Sequence, residues 1–160
     1  MKIRTGLGYD VHKLESGANF WLGGIKLEHS KGAIGHSDAD VLIHAICDAL
    51  LGAANLRDIG FHFADTDEAY KGIDSKILLK DVLKLVREKG FEVGNIDSTV
   101  CLQLPKVNPS IPTMKSVLCN VMAIDEEDLS IKATTTERLG FVGKEEGVSA
   151  YASVLLYKTE

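Results

Sequence analysis

Asp10-Val11-His12 is the first string along the chain whose residue types could do chemistry. Two residues apart on an extended segment point the same way, so a carboxylate and an imidazole would share one face. His44 follows in an apolar stretch at helical spacing, where an imidazole without a partner would be costly to bury. Two nitrogens and one oxygen make an ordinary zinc ligand set, with a fourth position left for substrate. Alone, the Asp-x-His pair is a weak signal, because on a strand it is more often a surface hydrogen-bonded pair. His44 adds the weight, and its competing reading is a core histidine satisfied by a backbone carbonyl. Asp40, His44 and Asp48 are spaced i, i+4, i+8 and drift only slowly around one helical face. Either aspartate could orient the His44 ring from behind, although an aspartate at a helix N-terminus also answers the helix dipole.

His36-Ser37 precedes that helix, with Ser37 or Asp38 as the expected N-cap. The same place exposes backbone N–H groups to an anion, and His36 could donate to a phosphate. Asp58-Ile59-Gly60 and Phe63-Ala64-Asp65-Thr66-Asp67 set further carboxylates in one loop, suited to a divalent cation or to sugar hydroxyls. The plainer alternative is a solvated turn in which Asp67 caps the next element. Lys132-Ala133-Thr134-Thr135-Thr136-Glu137 runs from a strand pattern into hydroxyls and a carboxylate. Such hydroxyls and amides at a strand end can surround phosphoryl oxygens, and Glu137 could hold a second, harder cation. The alternative there is a β-branched strand with a Thr-x-x-Glu-like cap. Gly6-Leu7-Gly8 lacks the third glycine and the helix of a dinucleotide fingerprint, and no P-loop occurs.

The elements that must position these groups are legible from periodicity. Residues 2–12 alternate as a strand, with Leu7, Tyr9 and Val11 on one face and Gly8, Asp10 and His12 on the other. Ser16–Asn19 reads as a turn, and Phe20–Leu22 with Ile25–Leu27 as a hairpin about Gly23-Gly24. A helix is predicted from about Asp38 to Gly52, then a loop over 56–72, then a helix from Ser75 to Lys89. Strands follow near 91–103, 129–135 and 148–158, with a third helix over about 110–123. This order predicts an α+β fold, a mixed β-sheet with helices packed on one face as a two-layer sandwich.

Composition bounds the rest. The chain has 160 residues, 45% hydrophobic and 26% charged, which fits one domain over 1–160 with a real core. A net charge of −5 argues against nucleic acid or an anionic membrane as partner. A polyphosphate held by such a chain would need localised cations, for which metal ions are natural. Cys47, Cys101 and Cys119 form no CxxC pair and read as buried, reduced thiols, which points to a cytoplasmic location. Met-Lys-Ile-Arg lacks the apolar core of a signal peptide, and no stretch approaches the ~20 apolar residues of a membrane span.

In order and spacing, these strings resemble one family over essentially the whole chain, 2-C-methyl-D-erythritol 2,4-cyclodiphosphate synthase of the non-mevalonate isoprenoid pathway. The resemblance rests on Gly8–His12, His36–Val41, Asp48–Ala53, Asp58–Gly60, Asp65–Asp67, Gln103–Lys106 and Lys132–Gly143. It implies a lyase that takes 4-diphosphocytidyl-2-C-methyl-D-erythritol 2-phosphate to the cyclic diphosphate and CMP. It implies Zn2+ on Asp10, His12 and His44, with Mg2+ or Mn2+ on the substrate diphosphate aided by Glu137. His36 and Thr135 would stabilise the transition state. Asp10, His12, His36 and Ser37 would also touch substrate. Asp58, Ile59, Gly60 and the run Phe63, Ala64, Asp65, Thr66, Asp67 would hold its methylerythritol part. Leu102, Gln103, Leu104, Pro105, Lys106, Val107 and Asn108, with Thr134, would surround the cytidine. Thr136, Phe141 and Lys144 complete the implied substrate-binding set.

The resemblance further implies a homotrimer with each active site between neighbouring subunits, and an axial cavity that takes a prenyl diphosphate. Leu7, Tyr9 and Val11 could line that cavity, their default role being core. Ala64 stands where a proline is frequent, Leu102 and Leu104 depart from the usual string, and Lys144 replaces a frequent arginine, losing its bidentate fork. Two other readings use the same residues: a metal-dependent nucleotide phosphodiesterase acting through a metal-bound water, and a non-catalytic trimer that binds prenyl diphosphates.

Overall fold

In a computed structural model, which describes residues 1–64 and 66–159, the long alternating segment at the start is strand β1, Lys2–Ser16. A hairpin of β2, Phe20–Leu22, and β3, Ile25–Leu27, comes next, then β4, Lys31–Ile34. Helix α1 spans Val41–Ala53, the short α2 Ile59–His62 and α3 Ser75–Glu88. Strand β5 is Glu92–Cys101, α4 Ile111–Met122, β6 Leu129–Thr134, α5 Gly140–Gly143 and β7 Gly147–Lys158. The sheet runs β4-β1-β7-β5-β6, antiparallel except for the parallel β5–β6 pair. A mixed sheet carrying helices is the expected α+β arrangement.

Helix α1 lies directly on the sheet, and this explains a pair of glycines. A Cβ on Gly6 or Gly8 of β1 would run into the backbone carbonyls of Ala49 and Ala45 on α1. Strand and helix backbones therefore touch, and the facing residues of β7, Ala150 and Ala152, are small too. Because α3 covers its other side, α1 is apolar nearly all round, with Leu42, Ile43, Ile46, Leu50 and Leu51 fully buried.

The opposite sheet face corrects one expectation. Leu7, Tyr9 and Val11 are 73%, 44% and 44% exposed, so they are not core in the single chain. With Tyr151, whose ring centroid lies 4.8 Å from that of Tyr9, they form an apolar patch on the sheet.

The start of α1 corrects another. Its N-cap is Asp40, not Ser37 or Asp38, and its carboxylate does not reach His44. Asp40 is fully buried; Oδ1 accepts the N–H of Ile43 at 3.1 Å and of Gly23 at 3.0 Å, and Oδ2 that of Gly24 at 2.7 Å. Gly23 and Gly24 both have positive φ, 61° and 78°, so the turn presents both N–H groups to one carboxylate. Burial pushes the Asp40 carboxyl up, against the pull of those backbone donors. Asp40→Ala should lose a cap worth about 1 kcal/mol and strand two buried N–H groups at about 1 kcal/mol or more each. Urea unfolding of the variant should read a loss of roughly 3 kcal/mol; a loss near zero would mean the turn finds other acceptors.

Cys47 and Cys119 are buried and Cys101 half-buried, all unpaired, and burial pushes the Cys47 thiol well up. Among the described residues no helix is long and apolar enough to cross a membrane.

Candidate active site

Strand alternation sends Asp10 and His12 to the α1 side of the sheet, and the first turns of α1 bring His44 onto them. Asp10 Oδ2 lies 2.9 Å from His12 Nε2 and 3.0 Å from His44 Nδ1, and the two nitrogens are 3.0 Å apart. These edges are close to the ~3.3 Å separation of ligand atoms on a tetrahedral zinc with bonds of about 2.0–2.1 Å. His12 Nδ1 donates to the carbonyl of Ile34 at 3.2 Å, which leaves its Nε2 lone pair facing the triangle. His44 Nε2 meets Ser75 Oγ at 2.9 Å and Ser37 Oγ at 3.1 Å. The three ligand atoms thus lie close enough together to hold one metal ion, and the donor set fits zinc.

Electrostatics agree with that reading. Burial works to raise the Asp10 carboxyl, but hydrogen bonds to His12 and His44 and their charges outweigh it, holding it well below the usual carboxylate range. Burial works to lower His44, yet the Asp10 hydrogen bond and the charges of Asp10, Asp40 and Asp38 leave it raised. A buried imidazole that draws positive charge is one that a dication can satisfy.

The cradle opens into a cleft of about 450 Å³ lined by Asp10, His12, Gly35, His36, Ser37, His44, Ile59, Gly60, Phe63, Tyr70, Ile73 and Leu78. The structure therefore gathers eight of the expected residues at one place. His36 Nε2 donates to the backbone carbonyl of Asp67 at 3.1 Å, tying the acidic loop to the cleft wall. The carboxylates of that loop have local partners. Asp58 caps α2 through Phe61 N–H at 3.1 Å, and Asp67 caps the 3-10 turn Glu68–Tyr70 through Ala69 N–H at 2.9 Å. Ala64 and Thr66 are not among the residues that line the cleft, and Asp65 lies outside the described residues. Asp48 accepts the N–H of Ile59 at 2.8 Å, which places α2 and takes that carboxylate away from the His44 ring.

The expected nucleotide residues gather elsewhere. Leu102, Pro105, Lys106, Val107, Asn108, Thr134 and Thr135 line a separate depression of about 90 Å³. Beside it Thr135 Oγ1 donates to Glu137 Oε1 at 3.0 Å, Thr136 Oγ1 donates to the Leu139 carbonyl at 2.7 Å, and Gln103 Oε1 accepts the N–H of Arg138 at 3.2 Å. Leu104, Glu137, Phe141 and Lys144 are exposed. Asp10 pairs with Ala150, Ala150 with Val100 and Val100 with Ala133, so three strand spacings, about 14 Å, separate metal cradle from threonine loop. His36 and Thr135, expected to act together, thus sit on different depressions of one chain. Gly35, Tyr70, Ile73, Leu78 and the buried Ser75 were not legible in the sequence as site residues; the last is an isolated serine at a helix start, which reads as a cap.

Fold and site together define an α+β protein with a two-histidine, one-carboxylate cluster that could hold a metal ion beside a cleft. Residues 3–157 match the model of the YgbB family. The chain is 66% identical over 158 residues to the 2-C-methyl-D-erythritol 2,4-cyclodiphosphate synthase of Parabacteroides distasonis, covering 99% of this chain and 98% of that protein. It is 64% identical over 158 residues to the synthase of Bacteroides thetaiotaomicron, with 99% of each covered. Among solved structures, the bifunctional IspDF of Campylobacter jejuni superposes with a TM-score of 0.95 at 42% identity, over 99% of this chain and 43% of that longer one. IspF of Plasmodium falciparum in complex with CDP gives 0.87 at 32% identity, over 99% and 97%. The chain belongs to the YgbB family, whose matched curated relatives are cyclodiphosphate synthases.

Proposed function

We propose that the chain converts 4-diphosphocytidyl-2-C-methyl-D-erythritol 2-phosphate into 2-C-methyl-D-erythritol 2,4-cyclodiphosphate and CMP, as a lyase of the non-mevalonate pathway. The observation that carries this reading is the Asp10–His12–His44 triangle, set in a chain that matches the synthases nearly end to end. An oxygen of the substrate's 2-phosphate attacks the β-phosphorus, forming a new P–O bond. The bond from that phosphorus to the oxygen bridging to the α-phosphate breaks, and CMP leaves with the electron pair. The nucleophile is already an anion, so no general base is needed; the protein's work is positioning and charge stabilisation.

Asp10, His12 and His44 hold zinc, and Glu137 helps to hold magnesium or manganese on the diphosphate. Cations bound by these residues would supply positive charge to the diphosphate. His36, Ser37 and Thr135 supply hydrogen bonds to phosphoryl oxygens. Ile59, Gly60 and Phe63 form a wall for the methylerythritol, with Asp58 and Asp67 at its rim. The depression around Pro105 and Thr134 takes the cytidine, supported by the neighbour solved with CDP.

Two separate depressions in one chain support a site completed between copies, and the apolar patch of Leu7, Tyr9, Val11 and Tyr151 supports a buried interface. Three copies close around an axis onto which that patch faces, where Lys144 draws a prenyl diphosphate. Unpaired cysteines support a cytoplasmic location.

The test supplies the cytidine-linked substrate with zinc and magnesium and follows CMP release and phosphorus NMR. CMP with a cyclic diphosphate is expected. CMP with a linear product would make the chain a phosphodiesterase, and no CMP would leave a prenyl diphosphate-binding protein.

A further inference from the structure

Ser75 is fully buried in the first turn of α3, and its hydroxyl has one proton to donate. That proton goes to Asp38 Oδ1, 2.5 Å away, while the Ser75 N–H donates to Oδ2 of the same carboxylate at 3.0 Å. Asp38 is itself held by the Asp40 N–H at 3.1 Å, and its own N–H donates to the carbonyl of Ile73 at 3.1 Å. With its proton committed, Ser75 Oγ can only accept from His44 Nε2 at 2.9 Å. A neutral imidazole carries one N–H; with that proton on Nε2, the lone pair is on Nδ1, the atom that meets Asp10 and His12.

We propose that Asp38 and Ser75 are positioning residues for the metal centre: they select the Nε2–H tautomer of His44 and aim its Nδ1 into the cradle. This rests on the reading of the Asp10–His12–His44 triangle as a metal site. For His12 the same task falls to the Ile34 carbonyl on the neighbouring strand. His44 sits inside α1, whose carbonyls serve the helix, so its partner must come from another element. The relay supplies one, and the Asp38 carboxylate polarises the serine oxygen into a stronger acceptor. Ser37 Oγ is also near Nε2, at 3.1 Å, and it accepts the Ala39 N–H at 3.2 Å. Among the described residues no other group takes its own proton, so it does not dictate which nitrogen of His44 is protonated.

The test measures zinc affinity of the full-length protein by competition with a chromophoric chelator, with the absorption spectrum of the cobalt(II)-loaded form as a second readout. Ser75→Ala should weaken zinc binding by roughly 10- to 100-fold and alter the cobalt spectrum. Asp38→Asn, which keeps the volume, should weaken it in the same direction. The double variant should be no weaker than Ser75→Ala alone, because both changes break one relay. Ser37→Ala should bind zinc within about twofold of wild type. Zinc affinity of Ser75→Ala and Asp38→Asn within twofold of wild type, or fully additive losses, would overturn the relay while leaving the metal centre intact. If Ser75→Ala does not fold, Asp38→Asn alone decides: weakened zinc binding supports the relay, and unchanged binding overturns it. A wild-type protein that holds no divalent metal would overturn both readings.

Discussion

Asp10→Asn should leave the fold in place and lower turnover by about a thousandfold. The amide has the shape of the carboxylate but not its charge, and Asp10 supplies the only negative charge in the triangle with His12 and His44. Without that charge a dication faces two neutral imidazoles in a half-buried setting, and the cradle no longer offsets the cost of desolvating it. The loss is of a Lewis acid that stabilises transition-state charge by several kcal/mol, and about 4 kcal/mol corresponds to roughly three decades in rate. Two measurements on one preparation check it: metal content of purified wild type and Asp10→Asn, and steady-state CMP release from each. Equal zinc in both proteins would remove Asp10 from the ligand set. Zinc lost but turnover kept would detach the metal from the chemistry.

Asp10, His12 and His44 were legible because each lies on an element with a strong period: alternation gave the shared face of β1, and 3.6-residue spacing gave α1. Alternation could not say which face of β1 is buried. The side that meets α1 carries Gly6 and Gly8, since backbones in contact leave no room for side chains, and the apolar residues were thereby left outside. Apolar character is a poor guide where a helix sits this close to a strand. Strand β4 went unread because Lys31-Gly32-Ala33-Ile34 has no alternation of its own and exists by pairing with residues 13–16 of β1. The four residues of α2 are too few for a period.

Carboxylate roles were legible only in part, for a different reason. Spacing of i, i+4 puts Asp40 and Asp48 near the face of His44, but it cannot reveal which backbone N–H groups compete for them. In the fold the glycine turn and Ile43 take Asp40, and Ile59 takes Asp48. The orienting task then falls to Ser75, 31 residues from His44 and joined to it only by tertiary packing.

Nor could spacing say whether the metal strings and the Thr134–Glu137 loop meet inside one chain. Their separation across the sheet gives the second large effect: an assembly that mixes Asp10→Asn with Glu137→Gln copies should recover activity that neither variant has alone. Asp10→Asn spoils the cradle but keeps the loop; Glu137→Gln spoils the loop but keeps the cradle. If each site joins the cradle of one copy to the loop of the next around a closed ring, some mixed sites contain both intact halves. In a ring of three that holds both variants, one junction of the three joins an intact cradle to an intact loop, so roughly a third of wild-type turnover should return. Co-expression with two different tags, followed by double purification and CMP release, measures it. A site completed within one chain would instead leave every mixed assembly as inactive as its parents, because each chain in it carries one broken half.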